Sequence, residues 1–138
     1  MDREKLIALL NGDLELEFQS IVQYTQHAAT VKGTEFQPMA EKIQPHLRQE
    51  LEHATVLAKQ IDFLGGEPTT RVPEVPNETE PRQALSLDLE LEERQLAGYR
   101  ERFEQAEELG LPDVAEALRP LLEQTQDHVR DLRSALGE

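Results

Sequence analysis

The chain has 138 residues, a length that suits one domain with a sizeable buried core. Its 28 acidic residues outnumber its 14 basic residues, and the formal charge of -14 argues against nucleic-acid binding, which needs a basic surface, and favours cation binding or plain solubility. Cysteine is absent and no apolar run is long enough for a signal peptide or a membrane span, so we expect a disulfide-free cytoplasmic protein without membrane contact.

Four segments of the chain have the apolar periodicity of long amphipathic helices. Aromatic residues make up only 4% of the sequence, which is unlike a β-sandwich or a β-barrel. Each segment is bounded by Gly, Pro or a capping residue: Gly33 follows the first segment, and Asp113 is a candidate N-cap for the last. The predicted helices span about 3–32, 38–64, 81–109 and 113–136.

The lengths of the connections predict how the helices are arranged. Short connections follow the first and third helices, so each of these helices should be antiparallel to its successor. A helix of about 28 residues is roughly 42 Å long. The Pro- and acid-rich segment 65–80 can span roughly 50 Å when extended, so it is long enough to run from one end of the bundle to the other. We therefore predict a single all-α domain over 1–138: a four-helix bundle with up-down-down-up order and one long crossover. A flexible linker between two independent hairpins is the alternative, but neither hairpin could bury its apolar face alone.

The sequence repeats itself without a gap at an offset of 75 residues, which indicates two similar hairpins at about 3–64 and 81–136. The segment DLELE occurs at both 13–17 and 88–92. Other aligned identities are Tyr24/Tyr99, Pro45/Pro120, Gln49/Gln124 and His53/His128. A hairpin packed on its own copy has a pseudo-two-fold axis, across which Glu17 should face Glu92 and the two histidines should face each other.

Several residues of this repeat are typical ligands of metal ions. Glu50 and His53 form a Glu-x-x-His motif on one helix face, so both could bind the same ion. Glu17 and Tyr24 lie seven residues apart on the first helix, and such a tyrosine could orient a carboxylate across the bundle. Oxygen and imidazole ligands without thiolate suit iron, manganese or zinc. A Glu-x-x-His motif alone is more often part of a charged surface, and the tyrosines alone could be ordinary core residues. The matched register of these residues on four helices nevertheless favours a central metal site.

The chain resembles the bacterioferritin branch of the ferritin-like family over nearly its whole length. The residues that carry this resemblance are Leu10-Asn11, Glu17, Gln23-Tyr24, His27-Ala28, Glu50-x-x-His53-Ala54, the FLGGEP segment at 63–68, the DLELE segment at 88–92, and His128. The resemblance implies that Glu17, Glu50 and His53 form one iron half-site. It implies that Glu92 and His128 form the second, with Glu50 as a bridge. The implied function is binding and oxidation of ferrous iron, with no catalytic residues beyond the ligands.

Three departures from the family pattern modify these expectations. Thr125 stands where the family has a second bridging Glu, so the second ion should be weakly held or replaced by water or hydroxide. Leu51 replaces the methionine that binds haem in bacterioferritins, so no haem is expected. The sequence stops at Glu138 without the family's short fifth helix, which argues against a 24-subunit cage and favours a homodimer or another homo-oligomer.

The sequence leaves three functions open. The first is iron handling with one or two ions, for which manganese and zinc are alternatives. The second is a non-catalytic module that holds one ion at Glu17, Glu50 and His53, which Thr125 would favour. The third is a bundle kept for assembly or partner binding, with the old site as a buried polar relic. His27 and His46 are each expected to be a satisfied or exposed histidine rather than a ligand, and the repeat counterpart of His46 is Leu121, which cannot bind metal.

Overall fold

Four long helices and their connections make up the computed structural model, which describes all residues from Met1 to Glu138. The helices are α1 (Arg3–Thr30), α2 (Gln37–Phe63), α3 (Pro81–Glu108) and α4 (Pro112–Ala135). No residue is in a β-strand. The predicted all-α four-helix bundle is therefore confirmed. None of the four helices has the length and apolar character that crossing a membrane would require.

The backbone of each helix packs against the backbones of two neighbours and not against that of the helix diagonally opposite. α1 lies against α2 and α3, and α4 lies against α3 and α2. Contacts between α1 and α3 run in opposite directions along the two helices, since Ser20 meets Gln95 whereas Tyr24 meets Glu92. Because α1 is antiparallel to both of its neighbours, α2 and α3 run the same way, as the up-down-down-up order requires.

The connection between α2 and α3 follows α1 along most of its length. Near the start of α1, Asn11 bonds to the backbone of Glu67 and Thr69 at 3.1 and 2.8 Å. Near the end of the same helix, Gln26 bonds to the side chain of Asn77. These bonds fix a segment that has no regular structure of its own, so the crossover spans the height of the bundle.

Two predicted helix boundaries differ from the observed ones. α1 ends at Thr30, so Gly33 lies beyond the helix, in the following turn, with a φ of 99° that suits glycine. α4 begins at Pro112 rather than after Asp113. A proline fits the first turn of a helix because its missing N–H would have no partner there. Asp113 consequently lies inside the first turn, where its negative charge interacts favourably with the positive end of the helix dipole.

The bundle has two apolar clusters with a polar layer between them. One cluster, near the start of α1, includes Leu6, Leu10 and Leu118. The other, near the start of α2, includes Met39 and Ile43. The buried polar and charged residues of the layer come from all four helices. The two apolar clusters thus enclose ionisable groups that would otherwise be solvated.

Candidate metal centre

The five residues expected to bind metal all lie in the polar layer, where their side chains are almost fully buried. Glu17 comes from α1, Glu50 and His53 come from α2, Glu92 from α3, and His128 from α4. None of them is more than 1% exposed. Long charged side chains on a bundle normally reach solvent, so the inward orientation of all five marks a site rather than a solvated surface.

The five side chains form two groups of three that share one carboxylate. In each group one possible ligand atom per residue lies within 4.8 Å of the others: Glu17, Glu50 and His53 in the first, and Glu50, Glu92 and His128 in the second. The shared residue turns Oε1 toward His128 Nδ1 at 2.9 Å and Oε2 toward His53 Nδ1 at 3.5 Å. Glu50 is therefore placed to bridge two ions.

Two glutamines orient the two histidine rings. His53 Nε2 lies 2.7 Å from Gln124 Oε1, and His128 Nε2 lies 2.5 Å from Gln49 Oε1. A carbonyl oxygen accepts a hydrogen bond, so each Nε2 carries the proton and each Nδ1 points at the carboxylates. His128 Nδ1 is 3.2 Å from Glu92 Oε1. A cation that displaced any proton on the Nδ1 atoms would find two imidazole ligands already oriented.

Two buried tyrosines orient the outer carboxylates. Tyr24 Oη donates to Glu92 Oε1 at 3.0 Å, and Tyr99 Oη donates to Glu17 Oε1. Burial, followed by the charge of the nearby carboxylates, raises the pKa of both tyrosines well above its usual range. Both hydroxyls therefore remain protonated donors. Each tyrosine holds one oxygen of a glutamate from the other hairpin and leaves the second oxygen of that glutamate free.

Several buried atoms of this cluster have no hydrogen-bond partner within the protein. They are Glu17 Oε2, Glu50 Oε2, Glu92 Oε2 and His53 Nδ1. Unpartnered carboxylate oxygens in a protein interior are costly. Burial, and then the charges of the other two glutamates, raise the pKa of Glu50 well above its usual range. A divalent cation would satisfy these atoms and offset the repulsion, so the residues present fit an ion held by oxygen and nitrogen ligands.

Thr125 occupies the position that the repeat relates to Glu50. Its side chain is 1% exposed, and its Oγ1 has no hydrogen-bond partner. The acidic residues nearest to it on α4, Glu123 and Asp127, are both exposed. No other carboxylate of α4 therefore replaces the missing bridge, and three carboxylates serve both groups.

The sequence pattern predicts no role for Gln49 and Gln124, although the repeat aligns them as a pair. The available signal was an identical uncharged residue four positions before each histidine. The bonding is also crossed between the hairpins, because the glutamine of one hairpin holds the histidine of the other. Periodicity along one helix cannot indicate such a partner.

Two further buried side-chain pairs between α1 and α3 obey the same pseudo-symmetry. Arg102 Nε donates to Asp13 Oδ2 at 2.9 Å, and His27 Nδ1 lies 2.7 Å from Asp88 Oδ2. Burial raises the pKa of Asp13 to about 6, although Arg102 opposes the shift. These pairs fix the register of α1 against α3 and thereby the separation of the outer glutamates.

His46 is buried beside the centre and takes no part in either group. Its ring stacks on that of His128 with 3.8 Å between centroids, and its Nε2 lies 3.1 Å from Asp131 Oδ2. Burial, and then the neighbouring His128, lower the pKa of His46 to about 4, so it is neutral at neutral pH. Its position matches a structural role, in which its ring supports the ring of His128.

Replacement of Gln124 is expected to weaken ion binding without removing a ligand. Gln124→Leu would leave His53 free to rotate or to change the nitrogen that carries its proton, and loss of such a partner costs about 10- to 100-fold in metal affinity. Calorimetric titration with Zn(II) would measure the loss. Gln44→Leu, at an exposed position of α2, is the control and should bind like the wild type. Unchanged affinity in Gln124→Leu would show that the glutamine does not orient the ring.

The fold and the cluster define a class of protein: four-helix bundles whose inward glutamates and Glu-x-x-His histidines bind metal ions. The ferritin-like domain family matches residues 7–138, and the chain belongs to this family. The predicted family membership is thereby confirmed. The Glu and His groups are of the kind that could hold a metal ion, which supports iron handling in general terms.

Two known proteins show where the chain lies within the family. It is similar to a bacterioferritin of Rhodobacter capsulatus, with 29% identity over 134 residues that cover 96% of this chain and 83% of that protein. Its structure is similar to the crystal structure of a ferritin-like, diiron-carboxylate protein from Bacillus anthracis str. Ames, with a TM-score of 0.91, 30% identity and coverage of 99% of both chains. The bacterioferritin supports the predicted branch, and the diiron-carboxylate protein supports membership of the ferritin-like superfamily.

Proposed function

We propose that this protein binds ferrous iron at the two groups that share Glu50 and oxidises it, with dioxygen or hydrogen peroxide as the electron acceptor. The observation that carries the proposal is the convergence of unpaired donor atoms on both sides of that carboxylate. The family membership and the diiron-carboxylate relative favour iron over manganese or zinc. Fe(II) is here the substrate of the protein, and Fe(III) is the product.

The residues of the site favour the more highly charged product. Two ferrous ions give one electron each to dioxygen, which takes up two protons and leaves as hydrogen peroxide. Carboxylates in a buried site stabilise Fe(III) more than Fe(II), because the interaction grows with the charge of the ion. Tyr24 and Tyr99 hold the outer carboxylates in place while this charge increases. Burial raises the pKa of Glu50, and the positive charge of a bound ion would oppose that rise and favour the ionised carboxylate.

Removal of His53 tests this function. Wild-type protein mixed with Fe(II) in air is expected to form Fe(III) well above the rate in buffer, and His53→Ala should lower that rate at least about tenfold because a first-group ligand is lost. Oxygen uptake together with ultraviolet absorption would measure the reaction. Glu52→Ala, an exposed neighbour on the same helix, is the matched control. Wild-type oxidation at the rate of buffer alone would contradict the proposal.

A non-catalytic protein that holds one ion at Glu17, Glu50 and His53 is the second candidate. Thr125 favours it, since two divalent ions would share only three buried carboxylates. A titration that found two equally tight ions per chain would exclude this candidate. A single bound ion that leaves oxygen uptake at the background rate would support it.

We also propose that two copies of the chain associate through an apolar groove on the outer face of α1 and α2. The groove is lined on its apolar side by Leu14, Phe18, Ile21, Leu51, Ala54 and Ala58. Leu51, one of these lining residues, is 49% exposed. The rim carries both Lys59 and Asp62, so two copies that meet there would not repel each other.

The internal repeat shows that the fold does not require an apolar groove at this place. The repeat counterparts on α3 and α4 are polar or charged: Glu93 corresponds to Phe18, Gln126 to Leu51 and Arg133 to Ala58. The second groove, lined by Arg100, Arg130 and Arg133, is accordingly polar. An apolar patch on only one of two equivalent faces is typical of a surface that binds a partner, and a self-complementary patch suits a symmetric dimer.

Leu51→Glu is expected to convert the dimer into a monomer, because it places two charges in an apolar interface. Light scattering during gel filtration would measure the mass. Gln126→Glu, which adds the same charge at the related position of the other hairpin, should leave the dimer intact. A wild-type monomer, or a Leu51→Glu protein that stays dimeric, would contradict the proposed interface.

A further inference from the structure

The three carboxylates of the two ligand groups carry one negative charge too few for two divalent ions, and the position of the missing carboxylate is occupied by Thr125. We propose that a small carboxylate from solution, of the size of formate, binds beside Thr125 when the second ion binds. The inference rests on the proposed function, because it requires that the two groups bind metal ions. It adds a second ligand type: a soluble monoanion that completes the centre.

The position of this anion follows from the pseudo-symmetry. Thr125 and Glu50 are related by the repeat offset of 75 residues, and Glu50 is shared by both ligand groups. A group at the related position would lie opposite Glu50 and near both ions. The γ atoms of threonine take the place of the glutamate Cγ, so the side chain lacks only the terminal carboxylate. Formate has the atoms of that carboxylate.

The hydroxyl of Thr125 is an available hydrogen-bond donor. Three other helical threonines, Thr25, Thr30 and Thr55, donate their hydroxyls to the carbonyl four residues earlier, at 2.6, 3.0 and 3.1 Å. Thr125 makes no such bond, and its Oγ1 has no partner although the residue is only 1% exposed. A buried hydroxyl without a partner is costly, so a ligand oxygen at this place would be stabilised.

The charges of the centre determine which ion needs the anion. The three ionised glutamates Glu17, Glu50 and Glu92 exceed the charge of one divalent ion but fall one short of the charge of two. His53 and His128 are neutral when they bind metal through Nδ1, so they do not change this balance. An uncompensated charge is unfavourable in a buried site. The first ion therefore needs no added anion, whereas the second ion does.

A carboxylate suits this place better than a monatomic anion. Its two oxygens could contact both ions, as the two oxygens of Glu50, which face His128 and His53, would on the other side. It has enough lone pairs to accept the hydroxyl of Thr125 as well. Chloride cannot span two ions and accept this hydrogen bond with separate atoms. Hydroxide is the competing monoanion, and it differs from formate in its dependence on pH.

The test is a Co(II) titration of the metal-free protein, followed by visible absorption and calorimetry, at constant pH and ionic strength and with formate exchanged for chloride. The affinity for the first ion should not change with formate. The apparent affinity for the second ion should rise about tenfold for each tenfold increase in formate, because one anion binds with that ion. Thr125→Val, which keeps the shape without the hydroxyl, should weaken this dependence. Thr125→Glu should bind two ions tightly at any formate concentration.

Other results would overturn the inference. Binding of two ions with affinities that do not depend on formate would contradict it. An affinity for the second ion that rises with pH and not with formate would also contradict it, because hydroxide would then be the anion. A single ion at every formate concentration would also overturn it while leaving metal binding intact. The absence of any bound ion would overturn the proposed function as well, so the two failures are distinguishable in one titration.

Discussion

Glu50→Ala is expected to abolish ion binding at both groups of the metal centre, although it changes one residue. Glu50 is the carboxylate that the two groups share, with one oxygen directed at each histidine. Loss of a partner that merely orients a ligand costs about 10- to 100-fold in affinity, so loss of a shared ligand should cost at least about 100-fold at each group. Calorimetric titration with Zn(II) would measure both affinities.

The same variant should lose the stabilisation that an ion provides. Chelation of a bound ion should lower the melting temperature of the wild type, because a ligand that binds only the folded state stabilises it. The melting temperature of Glu50→Ala should not respond to metal or chelator. Glu52→Ala, exposed on the same helix, should respond like the wild type. A Glu50→Ala protein that still bound one ion tightly would show that Glu50 is not shared.

Arg102→Met is expected to destabilise the metal-free protein by about 3 kcal/mol at pH 7.5, because it leaves the Asp13 carboxylate buried without its partner. Burial already raises the pKa of Asp13 to about 6 in the folded protein, from 3.8. The folded state therefore holds a proton that the unfolded state releases, so the contribution of Asp13 to stability falls as the pH rises through that window. At pH 5 Asp13 is protonated, and the cost of the substitution should be smaller by at least about 1 kcal/mol.

Urea unfolding at the two pH values would measure this difference. Arg100→Met is the control, because Arg100 is an exposed residue two positions earlier on the same helix. Its effect should stay within about 0.5 kcal/mol at either pH. Equal losses for Arg102→Met at both pH values would show that Asp13 does not take up the proton.

The sequence was sufficient to predict the fold because the local signals and the repeat agreed. Gly and Pro residues separate four periodic segments, and the lengths of the connections favour the up-down-down-up order. The two differences lie at helix ends: α1 ends at Thr30 rather than near Lys32, and α4 starts at Pro112 rather than at Asp113. Gly33 and Pro112 indicate that a helix ends or begins nearby but do not fix its terminal residue, so the pattern alone could not decide.

The sequence also allowed the convergence of the candidate ligands to be predicted, since an ungapped repeat fixes the register of two hairpins. The hydrogen-bond partners of those ligands could not be predicted. The nitrogen that each histidine presents depends on Gln49 and Gln124, which lie on the opposite hairpin. The burial of His46 against His128 depends on how α2 meets α4. Such contacts arise from tertiary packing, which no single-helix pattern contains.

Anomalous diffraction from crystals loaded with Fe(II) without oxygen tests the central claim most directly. Iron is expected inside the bundle, with one ion among Glu17, Glu50 and His53 and a second among Glu50, Glu92 and His128. Full occupancy of the first position alone would support the one-ion candidate. Iron bound only to surface carboxylates, with the buried cluster free of metal, would contradict the account.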